Sequence, residues 1–342
     1  MQSLVAALCL PTAATVAAAS SPFSPPGSIV VIASDPRATD AFQPQPAVVQ
    51  SMLDRALTNL TGCATVKAAW LSLVSTQDVV GIKVFSEPGP NSGTRPAVVA
   101  AVVHGLLAAG IPTNHIILWD KRQIDLRLGG YTDLARQLGV RAAGSMESGY
   151  DDTNFYATPF LGNLVWGDHE FGHKGENLGR KSFVSMLVSR QMTKIINITP
   201  LMNHNEAGVC GNLFSLAMGS VDNTTRFEGD PGRLATAVPE IYALPSLSDR
   251  VALSIVDALI CQYEGEERSL LHYSAMLNEL RLSRDPVALD FLSLQELAHQ
   301  RLINAAPASR TNMDLIQNAA LLELGTADPN RISIHRLPAQ AP

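Results

Sequence analysis

Short, continuous runs of apolar and β-branched residues recur along this chain between stretches of helical spacing, and that alternation constrains the fold more than any other feature. The runs are SIVVIAS from Ser28, DVVGIKVF from Asp78, HIILWD from His115, TKIINITP from Thr193, RVALSIVDAL from Arg250 and ISIHRL near the end. Their apolar residues are contiguous rather than alternating, the pattern of strands covered on both faces. Between them, AVVQSMLDRALTNL, RPAVVAAVVHGLLAAGI and ALDFLSLQELAHQRLI carry helical spacing. Strand and helix repeated in this way predict βαβ units with right-handed crossovers. The expected class is therefore α/β, a mostly parallel sheet flanked by helices. Residues from about 142 to 180 break the pattern, being rich in Gly, Asn, Asp and aromatics, and are expected to form a long, irregular, loop-rich insertion. The expected organisation is a leader and Pro/Ser linker over 1–27, then a single α/β domain over 28–340, or two lobes.

Two helix starts are specified locally. Thr94 is placed to cap a helix with Pro96 in its first turn, where a missing N–H costs nothing. Asp285 is placed to cap another with Pro286 first, and Val287, Phe291, Leu294, Ala298 and Leu302 form the expected apolar stripe.

Composition narrows the partners. A net charge of -6, with 16% charged and 46% hydrophobic residues over 342, fits a packed globule without a basic footprint. Nucleic acid and anionic membrane surfaces are excluded as expected partners, leaving a small-molecule ligand. The opening MQSLVAALCLPTAATVAAASS reads as the apolar core of a secretion signal with a small-residue cleavage pattern around Ala17 to Ala19, although the basic n-region is missing. Export, to a periplasm, is the expectation. No later stretch is long and apolar enough to span a bilayer. Cys63, Cys210 and Cys261 lie far apart with no C-x-x-C, so no iron-sulfur cluster is expected; a divalent metal is the only cofactor the residues suggest.

The pentapeptide HEFGH, His169 to His173, spells the H-E-x-x-H signature of zinc peptidases. That chemistry needs both histidines on one face of a helix, with the glutamate beside metal-bound water. Gly167, Gly172, Gly175 and Gly179 crowd the window, and Glu176 and Gly179 occupy the positions of the extended motif's glycine and third histidine. A loop is the expectation, with zinc binding by His169 and His173 the lesser reading.

A more coherent set of polar residues follows the candidate strands, where open α/β sheets bind ligands. Lys83 lies inside GIKVF and would need an anionic partner in an apolar sheet. Asn91, Ser92 and Thr94 lead into the next helix, Asp120 ends HIILWD, and Asn203, His204 and Asn205 follow IINITPLM. Asp257 follows ALSIV. His204 is the candidate for acid/base work or metal ligation, Lys83 for holding a negative charge, and Asp120 and Asp257 for orienting partners or binding a cation. Each also has a plain structural reading as a cap, a strand-edge charge or a hydrogen-bonded side chain.

The order of AWLSLVSTQDVVGIKVFSEPGPNSGTRPAVVAAVVHGLLAAGIPTNHIILWDKRQIDLRLGGY, TKIINITPLMNHNEAGVCGNLFSLAMGSVDN, AVPEIYALPSLSDRVALSIVDALICQYEGE and SRDPVALDF resembles the bacterial and archaeal family catalogued as domain of unknown function 362, over about 28–305. The resemblance implies an α/β fold, frequent export and no established reaction. Some members carry a ferredoxin-like cluster domain, whose cysteines are missing here. The family usually shows I-K-x-N after the second strand, L-K-x-H after the central one and a Lys-Asn pair soon after. Lys83 and His204 match. Phe85 stands at the asparagine, Met202 at the second lysine, and Phe214 and Ser215 at the later pair.

The functional expectation is a polar crevice at strand C-terminal ends that binds a small anionic or metal-bound ligand. Its enzymatic version is an isomerase or oxidoreductase, suggested only by a loose similarity of layout to nickel-pincer lactate racemases. The alternative is a noncatalytic binding or scaffold protein, and a zinc metallopeptidase using His169, Glu170 and His173 comes third.

Overall fold

The computed structural model describes residues 27–339, apart from 269 and 308–310. The leader-like segment lies outside the described residues. In chain order the strands are β1 (Ser28–Ser34), a hairpin of β2 (Thr39–Asp40) and β3 (Gln43–Pro44), β4 (Val80–Lys83), β5 (Ile116–Asp120) and β6 (Arg141–Gly144). They continue with β7 (Tyr150–Ala157), β8 (Lys181–Ser185), β9 (Lys194–His204), β10 (Gly208–Val209), β11 (Val251–Gln262), β12 (Ser274–Ser283) and β13 (Ile332–Leu337). The helices before the midpoint are α1 (Pro46–Thr61), α2 (Val66–Leu71), α3 (Pro96–Ala109), α4 (Gln123–Leu128), α5 (Tyr131–Leu138) and α6 (Ser145–Ser148). After it come α7 (Asn212–Ser220), α8 (Pro231–Tyr242), α9 (Pro286–Ile303) and α10 (Met313–Leu321).

One sheet organises the chain, in the order β13-β1-β12-β11-β9-β4-β5-β6, with β10 folded back on β9. The fold is α/β with a mostly parallel sheet. Only β12, against β1 and β11, and β10, against β9, introduce antiparallel pairs into it. Alternate side chains serve two cores. Val80 and Ile82 of β4, Ile116 and Leu118 of β5 and Ile196 and Ile198 of β9 pack under α1, α2, α3 and α5. Ile117, Trp119, Ile195 and Leu201 pack on the other face under α7, α8, α9 and α10. Both faces are thus covered, as the continuous apolar runs require. Among the described residues no helix is long and apolar enough to cross a membrane.

Several local expectations are corrected. The second strand ends at Lys83, and the 193–200 run continues to His204. Arg95, not Thr94, is the N-cap of α3, with Pro96 first as expected. Thr94 Oγ1 instead accepts the Phe85 N–H at 3.0 Å and donates to the Ile198 carbonyl at 2.7 Å, fastening the loop after β4 to β9. Asp285 does cap α9, accepting the Ala288 N–H at 2.8 Å. Its apolar stripe, however, runs through Val287, Leu294 and Leu297, leaving Ala298 and Leu302 exposed. The 142–180 excursion holds the end of β6, then α6 and β7, which pairs with β8 and leaves 158–180 as an irregular loop.

Candidate functional site

β4, β5 and β6 step outward in one direction, whereas β9 lies on the other side of β4 with β11 beyond it, so the strand order reverses between β4 and β9. α3 follows β4 over one face and α7 follows β9 over the other. Where consecutive connections part like this, a crevice opens at the carboxyl ends of the strands. A cavity of about 630 Å³ occupies that place, within the size range of small-molecule sites. Residues from the ends of β4, β5 and β9, from α6 and α7, and from the 158–180 loop line it.

Its floor is a saturated polar platform. Lys83, fully buried, spends its three donors on the Val84 carbonyl at 2.6 Å, Ser215 Oγ at 3.1 Å and Asp120 Oδ1 at 2.7 Å. Asp120 in turn accepts the Ser86 N–H and hydroxyl, both at 2.7 Å, and the Lys121 N–H at 2.8 Å. Burial pulls the Lys83 ammonium down from its ordinary pKa, and the Asp120 carboxylate pushes it back up. With every donor used, Lys83 reaches the cavity only through Asp120 and Ser215, which line it. Lys83 was expected to hold a ligand's negative charge, and this is corrected: Asp120 already neutralises the lysine.

Gly219 of α7 makes room for the lysine, since a Cβ there would stand 2.2 Å from Lys83 Cε and 2.9 Å from Nζ. Ala ordinarily stabilises a helix by about 1 kcal/mol over Gly. Gly219→Ala is expected to show no such gain and instead a loss of about 1 kcal/mol or more, because overpacking displaces a clamped ammonium. Urea unfolding midpoints decide this, and a midpoint at or above wild type would show that Lys83 can move aside.

The cavity wall combines apolar surface with an excess of carboxylates. Phe85, Met146, Trp166, Phe214 and Met218 supply the apolar part, and the Phe85 and Phe214 rings meet edge to face at 6.5 Å. The two positions where polar family residues were expected have thus become one aromatic contact. Glu87, Asp120 and Asp125 line one side; Asp168, Glu206, Glu228 and Glu266 line the rest, against only Lys121 and Arg122. Arg122 is taken by Glu87 and Asp125, both at 2.6 Å. Burial raises the Glu87 and Asp125 carboxyls above their ordinary values.

His204 ends β9 at the far wall. Its Nδ1 accepts N–H groups from Glu206 at 3.2 Å and Ala207 at 3.1 Å, and its ring lies 4.4 Å from that of Phe214. Burial lowers its pKa, with Glu206 and Glu228 opposing. One nitrogen of His204 and one carboxylate oxygen each from Glu206 and Glu266 lie within 4.8 Å of one another. Among the described residues this is the one grouping spaced like metal ligands.

HEFGH lies in a run of turns, not a helix. The His169 N–H donates to Asp222 at 2.6 Å, and its ring packs on Phe183 at 4.5 Å between centroids. His173 is exposed, and Glu170 accepts the Gly179 N–H at 2.8 Å. Neither histidine lines the cavity. The loop carrying them does close one side of it, through Val165, Trp166, Gly167 and Asp168. Asp222, which anchors this loop, has its carboxyl pushed up to about 6 by burial.

The other expected residues are scattered. Of the sequence set, only Asp120 and His204 line the cavity. Asp257 is fully buried against Arg95, accepting its N–H at 2.8 Å with the guanidinium 3.2 Å away. Committed to a cation and to the start of α3, Asp257 is corrected to a structural residue rather than a metal or ligand group. Thr94 is likewise a strap, Ser92 is buried, and Asn91 is exposed with its carbonyl accepting from Arg95 at 3.2 Å. Asn203 accepts the Glu266 N–H at 3.1 Å, and Asn205 donates its N–H to Glu266 Oε1 at 2.5 Å. Both position Glu266 instead of facing the cavity. Ser86, Ser215, Trp166 and Glu266 were missed, and only the Phe214-Ser215 departure from the family pattern gave a signal.

Fold and crevice define an open α/β protein with a switch-point site. The chain belongs to the family described as domain of unknown function (DUF362), whose model matches residues 80–295. A solved protein from Thermotoga maritima, a structural genomics target, is similar at 12% identity and a TM-score of 0.43, over 78% of this chain and 61% of that one. The chain thus spans about three fifths of that protein's length. No curated protein matches.

Proposed function

We propose that the protein binds a small amine-bearing molecule in the switch-point crevice. The observation that carries this is the excess of carboxylates over cations among the residues that line the crevice. Lys83 is neutralised by Asp120 and Arg122 by Glu87 and Asp125, while Glu206, Glu228 and Glu266 have no Lys or Arg ion-pair partner among the described residues. An anion, one of the two ligand classes expected from sequence beside a metal-bound one, would meet this field unfavourably; a cation is attracted by it. The exposed Trp166 ring at the cavity wall favours a cation further. Binding stands ahead of catalysis because Lys83 and Asp120 pair with each other and spend their remaining hydrogen bonds on Val84, Ser215, Ser86 and Lys121. An enzymatic activity would fall to His204 and its neighbouring glutamates.

Trp166 is 74% exposed, whereas Trp70 and Trp119 are fully buried, so ligand-dependent fluorescence reports on the cavity wall. Titrations with cyclohexylamine, glucosamine and glucuronate compare an amine, an oxygen-rich amine and an oxygen-rich anion of similar size. Both amines are expected to perturb Trp166 saturably, more weakly as salt rises, and glucuronate is not. Saturable binding of glucuronate alone would contradict the reading.

A further inference from the structure

We propose that His204 is fixed as the neutral tautomer protonated on Nε2 and offers that N–H to an oxygen of the ligand. The crevice then selects amines that also carry a hydroxyl or carbonyl oxygen. The ligand's charge rests on the amine reading above; the tautomer does not.

The geometry of one turn sets the tautomer. Two backbone N–H groups, from Glu206 and Ala207, point at Nδ1 from 3.2 and 3.1 Å. A proton on Nδ1 would face both of them, whereas a lone pair accepts both, so the neutral ring carries its hydrogen on Nε2. The Glu206 carboxylate would favour a proton on Nδ1, but at 3.6 Å it lies outside hydrogen-bond reach while the backbone donors lie inside it. Glu228 and Glu266 are the other charged groups lining the cavity at this end. The turn itself is held tight. Gly208, at φ +84°, pairs with His204 across the β9–β10 hairpin, and a Cβ on it would meet Leu294 at 2.8 Å and the Asn312 N–H at 3.0 Å. Packing on Phe214 and a side-chain exposure of 12% keep the ring from turning over.

Two consequences follow for chemistry. A ring whose Nδ1 lone pair is already shared by two N–H groups is a poor base at Nε2 and a poor metal ligand at either nitrogen. It is a good neutral donor, and Nε2 has no hydrogen-bond partner among the described residues although the ring lines the cavity. A ligand ammonium would lie toward the unpaired glutamates, with its oxygen at Nε2.

The test is long-range nitrogen-proton NMR of the ring in the ligand-free full chain, with His204→Gln used for assignment. The expected spectrum at neutral pH shows an unprotonated Nδ1, as its two backbone donors require, and a protonated Nε2. An Nδ1-protonated ring, an imidazolium at neutral pH, or stoichiometric uptake of Zn²⁺ or Mn²⁺ that removes the signal overturns the proposal. In binding, glucosamine is expected to exceed cyclohexylamine, and His204→Phe to weaken glucosamine alone by about 2- to 12-fold, the worth of one net hydrogen bond. Equal loss for both amines overturns the oxygen contact. If no amine binds while the tautomer is as stated, the amine reading fails and the tautomer stands.

Discussion

Asp120→Leu, with Lys83 left in place, is expected to cost about 3–5 kcal/mol of folding stability, because it leaves a fully buried ammonium without its counter-ion. Only the Val84 carbonyl and Ser215 Oγ would remain to hold that charge, and Lys83 is fully buried. Replacing both partners, Lys83→Met with Asp120→Leu, should recover most of the loss, since an apolar pair removes the desolvation problem along with the attraction. Urea unfolding of the wild type, both single variants and the double variant measures the interaction energy. A double variant no more stable than Asp120→Leu would mean that Asp120 matters through Ser86 and Lys121 rather than through the lysine.

Asp257→Ala is expected to lose a comparable amount, about 3–5 kcal/mol, at the other buried ion pair. Arg95 is 3% exposed, and Asp257 balances its charge while also accepting its N–H. Removing the carboxylate leaves a buried guanidinium and frees the N-cap residue of α3. The two variants differ in what happens to ligand binding. Asp257 does not line the cavity, so Asp257→Ala protein kept folded at low temperature should bind glucosamine as the wild type does. A selective loss of binding at unchanged fluorescence of Trp70 and Trp119 would return Asp257 to the site.

Much of the scaffold was legible in the sequence because strands covered on both faces write themselves as unbroken apolar runs. SIVVIAS and ISIHRL are whole strands of the sheet, and HIILWD and RVALSIVDAL each begin one residue before theirs. β6 was not legible, since RAAG carries no β-branched residue, and β7 lies inside, and β8 just beyond, a region whose composition reads as loop. Thr94 misled for a physical reason. A threonine before a helix is a cap by local propensity, but here its hydroxyl bridges β4 and β9, a contact with a residue 104 positions away.

The site was half legible. Following polar residues off the strand ends found Asp120 and His204, which the switch point brings to one cavity, and Lys83, which sits behind its wall. It could not separate them from Asp257 and Thr94, because facing the crevice and facing the neighbouring strand look alike in sequence. The charge of the cavity was hidden for the same reason. Lys83 reads as a free cation until its partner Asp120, 37 residues on, is seen 2.7 Å away. HEFGH shows the opposite failure, a correct spacing without a helix to use it, although the loop that carries it does reach the cavity through Trp166 and Asp168.

The central claim is that the crevice selects a cation, and a crystal structure of the protein soaked with glucosamine tests it most directly. The account predicts a sugar in the cavity under Trp166, its ammonium among Glu206, Glu228 and Glu266 and one oxygen at His204 Nε2. An empty cavity at saturating glucosamine, or an anion bound there in its place, would contradict it.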